Sequence, residues 1–65
     1  MGANFTPDLI RLLRAAGCTF VRRGKGDHDI WHSPISGRRF PVDAHIRSRH
    51  MANTVLKQAG LPANF

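Results

Sequence analysis

The residues best suited to chemistry in this 65-residue chain gather in one stretch, Arg22-Arg23-Gly24-Lys25-Gly26-Asp27-His28. A histidine stands at the end of a basic, glycine-punctuated turn, where a strand-like run begins. Imidazole can take or give a proton near neutral pH. Lysine and arginine neutralise phosphate charge, and glycine N–H groups let a phosphate come close to the backbone. Cleavage of RNA needs a base for the 2′-hydroxyl proton, an acid for the leaving oxygen and cations for the phosphate. On this reading His28 is the candidate acid/base, and Lys25, Arg22, Arg23 and Gly26 are candidate RNA contacts. The same segment also reads as a plain hairpin loop beside a solvated charge run. On the residues alone both readings stand.

Other chemistries find less support. His28 and His32 have a spacing that suits a metal on a helix, but on a strand four steps span about 13 Å, too far for one ion. His45 and His50 fall off a common helical face, and His50 reads as a residue near a helix start with no role. The single cysteine, Cys18, excludes an internal disulfide framework and a multi-thiolate zinc site. Gly24-Lys25-Gly26 leads into a strand rather than a helix, so it is neither a P-loop nor a dinucleotide fingerprint. No metal and no cofactor is expected. Trp31 reads as core and His32 as exposed.

The balance of charge points to a polyanion. Ten Lys+Arg against four Asp+Glu give a formal net charge of +6, and no basic amphipathic helix suggests a membrane surface. An acidic protein partner is the rival explanation. The length allows one domain with one small core, here 1–65 with flexible ends at about 1–4 and 62–65. No apolar run reaches signal-peptide or transmembrane length. A lone cysteine in so small a chain fits a reducing, intracellular compartment, so a cytoplasmic location is expected.

The elements that must position His28 can be read in order. Thr6 and Pro7 mark a helix start, with Thr6 as N-cap, Asp8 in the first turn and a Phe5–Ile10 staple. Leu9, Ile10, Leu12, Leu13 and Ala16 recur at helical spacing, and Gly17 stops the helix, which is expected over 6–16. Cys18 to Arg23, His28 to Ser33 and Arg38 to Val42 read as three short strands, the last two joined by a Pro34-Ile35-Ser36-Gly37 turn. Pro41 places the third strand at a sheet edge. Asp43 to Ser48 reads as irregular. A last helix is expected from Arg49 to Ala59, with Met51, Val55, Leu56 and Ala59 on one face and Gly60 as its stop. The order α-β-β-β-α predicts an α+β domain: a three-stranded antiparallel sheet with two helices packed on one face. Strand alternation sets His28, Ile30 and His32 on the face opposite Trp31.

Several of these segments together resemble the HicA (YcfA-like) family of small mRNA-interferase toxins from bacterial toxin–antitoxin pairs. The carriers are Leu9 to Gly17, Phe20-Val21-Arg22 leading to Gly26-Asp27-His28, Ile30-Trp31 before Ser33-Pro34, Val42 to His45, and Val55-Leu56-Lys57-Gln58-Ala59-Gly60-Leu61. The resemblance spans roughly residues 6 to 61. It implies a fold like a double-stranded-RNA-binding domain (dsRBD-like) and a metal-independent endoribonuclease acting on mRNA. It also implies catalysis by His28, and a HicB-like antitoxin that covers the site. The chain is then expected to be a monomer when free and part of a hetero-oligomer with the antitoxin. The family's second histidine matches His45, a possible site neighbour. Gly-Asp-His stands here where the family has Gly-Ser-His, so Asp27 puts a carboxylate beside His28, able to orient the imidazole or to repel phosphate. The alternatives on the residues are a non-catalytic RNA-binding module and a basic protein-interaction domain.

Overall fold

The structure, a computed structural model, describes residues 4–65. Most of the frayed start expected at 1–4 lies outside those residues. Five elements follow one another: α1 (Thr6–Ala15), β1 (Thr19–Arg23), β2 (His28–His32), β3 (Arg39–Asp43) and α2 (Arg49–Gln58). Both strand pairs are antiparallel and the sheet order is β1-β2-β3, as short connections require. The α+β class and the element order are those expected. Pro41 lies on an edge strand, where its missing N–H costs no ladder bond on the outer side.

α1 forms on the apolar stripe read from the sequence, with Leu9 and Leu13 fully buried and Ile10, Leu12 and Ala16 packed at the margin of the core. Its start differs from the expectation. Thr6 lies inside the first turn and does not cap it. Its hydroxyl donates to the Asp43 carbonyl at 2.8 Å and accepts the Ile46 N–H at 3.0 Å. The Ile46 N–H is buried and the Asp43 carbonyl partly so, both need partners, and one hydroxyl supplies both. Asn4 Oδ1 takes the Thr6 N–H instead, at 3.1 Å. The bond from Thr6 ties the end of β3 to the start of α1.

The two faces of the sheet differ in kind. Trp31, Phe40 and Val42 are buried beneath the helices, in one core with Leu9, Leu13 and Leu56. The Arg14 guanidinium lies 5.7 Å from the centroid of the Trp31 ring, and Phe20 meets that ring edge-on. Trp31 Nε1 is buried and has no hydrogen-bond partner among the described residues. The opposite face carries His28, Ile30 and His32, as strand alternation predicts.

One irregularity was not foreseen. Phe20 pairs with Trp31, but Arg22 pairs with Ile30, so Val21 is the extra residue of a bulge in β1. In a regular strand Phe20 and Arg22 would share a face. The bulge reverses that parity beyond Val21 and carries Arg22 to the open face, beside Ile30.

α2 starts at Ser48, whose hydroxyl accepts the Met51 N–H at 3.3 Å. It ends at Gly60, which has φ +81° and lies so near the β2–β3 turn that a Cβ would sit 2.9 Å from Ile35 Cγ2. The segment 62–65 is drawn back onto α2. Asn53 accepts the N–H groups of Asn64 and Phe65 and donates to the Phe65 carbonyl, and the Phe65 ring packs edge-on against Phe5.

Candidate active site

The turn before His28 is a tight hairpin. The Gly24 N–H donates to the His28 carbonyl at 2.7 Å, and the His28 N–H donates to the Lys25 carbonyl at 3.2 Å. Gly26 has φ +60° while Asp27 has a negative φ, the pattern of a type II′ turn, whose first central position favours glycine. Beyond His28 the pairing with β3 continues by one more bond, from the Ala44 N–H to the Asp27 carbonyl at 3.0 Å. The backbone that carries His28 is therefore bonded on both sides.

The imidazole is held and reachable at once. Its side chain is 48% exposed. Nδ1 lies 3.2 Å from the Lys25 carbonyl oxygen. A carbonyl only accepts, so Nδ1 is the nitrogen that carries hydrogen, and the neutral ring keeps its lone pair on Nε2. Nε2 lies 3.7 Å from Asp43 Oδ2. Asp43 is itself fixed: Oδ1 accepts the His45 N–H at 3.0 Å, and its carbonyl accepts from Thr6. The result is a solvent-reachable imidazole whose two nitrogens have distinct roles. One is locked to the backbone. The other faces an anchored carboxylate and open solvent.

The remaining candidates are placed as follows. Lys25 reaches His28 through its backbone carbonyl, and its side chain is exposed. Arg22 stands on the His28 face, with Nη1 donating to the Arg23 carbonyl at 3.2 Å. Arg23 pairs across the strands with Asp29 at 3.7 Å, an exposed contact of little energetic weight. Gly26 is the turn itself. Asp27 is exposed and enters the structure through its carbonyl. His45 lies next to the site but contributes its N–H to Asp43; among the described residues no hydrogen bond or ion pair joins its ring to His28.

Asp43 is the residue that sequence reasoning missed. The third strand was expected to end at Val42, with Asp43 in an irregular segment. It runs one residue further, and Asp43 is the direct cross-strand partner of His28. A signal was present. The Pro34–Gly37 turn sets Ser33 opposite Arg38, and five steps along each strand from that pair lead to His28 and Asp43.

Charge around His28 is mixed, although the chain is basic. Three of the four acidic residues, Asp27, Asp29 and Asp43, lie within the turn, on β2 or across from His28. One of them is matched by Arg23. Among the described residues, no group of three or more His, Cys, Asp or Glu side chains lies close enough to hold a metal ion. Among the described residues, no helix is long and apolar enough to cross a membrane.

Neither the curated proteins nor the solved structures give a match to this chain. The family described as HicA toxin of bacterial toxin–antitoxin does match, over residues 6–61. That interval takes in both helices, all three strands and the His28 turn. With this match over nearly the whole chain, the protein belongs to the HicA toxin family of bacterial toxin–antitoxin systems, which implies an antitoxin partner.

Proposed function

We propose that this toxin is an endoribonuclease that cleaves mRNA, with His28 moving the proton and the RNA's own 2′-hydroxyl as nucleophile. The observation that carries this reading is the His28 geometry: an exposed imidazole with Nδ1 bonded to the Lys25 carbonyl and Nε2 left to accept a proton. Nε2 takes the hydroxyl hydrogen as the 2′-oxygen attacks phosphorus. The P–O5′ bond breaks, the leaving oxygen takes a proton from solvent water, and the imidazolium returns its proton to solvent. The products of such a displacement are a 2′,3′-cyclic phosphate and a 5′-hydroxyl. No metal is needed on this route. Asp43, 3.7 Å from Nε2, faces the imidazolium that forms and favours its charge. Arg22, Arg23 and Lys25 supply positive charge to the phosphate, with the Gly26 turn allowing a close backbone approach.

The partner is a HicB-like antitoxin that covers this face, and the toxin acts in the cytoplasm, where mRNA is its substrate. Free toxin is monomeric. The test is cleavage of an mRNA by purified protein and by His28→Ala, both in EDTA. Cleavage by the wild type alone, leaving cyclic-phosphate ends, supports the proposal. Equal cleavage by both proteins refutes it. So does RNA binding without cleavage by the wild type, which is the behaviour of a non-catalytic RNA-binding module.

A further inference from the structure

A recess of about 130 Å³ opens beside His28, between β3 and α2. His28, Pro41 and Asp43 form its sheet side, and Met51, Thr54 and Gln58 line it from the helix. Nothing in the proton transfer uses the helix side. Met51 is 53% exposed, a large apolar side chain held out at the recess. The Thr54 hydroxyl donates to the His50 carbonyl at 2.9 Å, so its oxygen is still free to accept. The Gln58 carbonyl is taken by Ser36 Oγ at 2.8 Å, and its side-chain amide has no partner among the described residues. An apolar wall and an apolar side chain thus flank one hydroxyl acceptor and one amide with both donor and acceptor capacity.

We propose that this recess binds one unstacked base of single-stranded RNA, next to the phosphate at which His28 assists the 2′-hydroxyl attack. The inference rests on the nuclease reading above and extends it to substrate choice. A flat heterocycle has apolar faces for Met51 and Pro41 and a hydrogen-bonding edge for Gln58 and Thr54, the way splayed-out RNA bases are commonly read. The net charge of +6 favours a polyanion over an acidic side chain as the source of the group. The recess is continuous with the His28 face, so a base seated there brings its own phosphate toward Nε2. A base stacked inside a duplex cannot enter.

Two measurements test this. In the first, His28→Ala protein with labelled Met51 methyl and Gln58 amide groups is titrated with a short single-stranded RNA, with the same strand made abasic, and with a duplex. The expected result is that both signals move with the single strand and stay with the other two. Signals that stay unmoved with the single strand, or that respond equally to the abasic strand, overturn the proposal. In the second, cleavage sites are mapped on a random single-stranded RNA pool for wild type, Gln58→Leu and Met51→Ala. Gln58→Leu removes hydrogen bonds without touching the helix backbone, and its base preference beside the cut bond is expected to flatten by roughly two- to tenfold. An unchanged profile in both variants, with His28-dependent cleavage intact, overturns the recess and leaves the nuclease reading standing. Signals that move as expected in a protein that never cuts RNA retain the recess and overturn the nuclease reading.

Discussion

Two polar residues that flank or open β2, Ser33 and His28, are treated by the fold in opposite ways. Just past one end Ser33 is fully buried, and its hydroxyl donates to the Ala59 carbonyl at 2.6 Å while accepting the Ile35 N–H at 3.1 Å. At the other end His28 is half exposed, with looser contacts at 3.2 and 3.7 Å. Ser33 joins the β2–β3 turn to the end of α2, and every atom it can offer is taken. His28 is placed by backbone bonds on both sides, yet its Nε2 is left for something from solution. A polar group spent on stability and one that the proposed reading keeps for chemistry thus stand five residues apart, the first just past the end of β2 and the second at its start. Their difference is one of satisfaction, not of residue polarity: a buried hydroxyl must be paired, and a proton-transfer group must not be.

Mutations at the two ends should therefore separate activity from stability. The largest expected effect is on activity. His28→Ala should lower RNA cleavage by about 10²- to 10⁴-fold while leaving the urea midpoint almost unmoved, as a gel assay and a denaturation curve on the same preparation would show. Ser33→Ala should do the reverse. It strands the Ala59 carbonyl and the Ile35 N–H, and a loss of about 1–3 kcal/mol in urea unfolding is expected, with cleavage per folded molecule unchanged. Gly60→Ala acts on the same end of the molecule. Its positive φ and the 2.9 Å approach to Ile35 Cγ2 should cost upwards of about 1 kcal/mol, read as a lowered melting temperature. The smallest effect belongs to Asp43→Asn. Asparagine can still accept the His45 N–H, so the turn survives. The lost contact is partly exposed, and cleavage should fall by no more than about fivefold. A fall as large as that of His28→Ala would make Asp43 an equal partner in the chemistry and undo the contrast drawn here.

Much of the fold was legible because it is written in local patterns. The 3.6-residue recurrence of Leu9 and Leu13, the stop at Gly17 and the Pro34–Gly37 turn act over a few residues each, and the structure repeats them. Thr6 shows where that reading fails. Its sequence context favours an N-cap, but a part-buried carbonyl at the end of β3 and a buried N–H in the segment after it claim its hydroxyl. Local capping lost to a tertiary demand for hydrogen bonds. The segment 62–65 is similar: nothing local ties it, and it is Asn53, eleven and twelve residues back, that does.

The candidate site divides along the same line. That His28 is presented by a glycine turn, on the face away from Trp31, follows from turn chemistry and from the period of two in a strand. The sequence determined this much, along with the basic charge that suits RNA. Which residues stand beside His28 was decided only in three dimensions. The bulge at Val21 moves Arg22 to the His28 face, and one further residue of β3 brings Asp43 opposite the imidazole. The face a strand residue occupies depends on how many residues precede it in the pairing, and pairing is a property of two strands together. Proximity across strands is therefore set by register and by the helices that fix it, which no single segment of the chain contains.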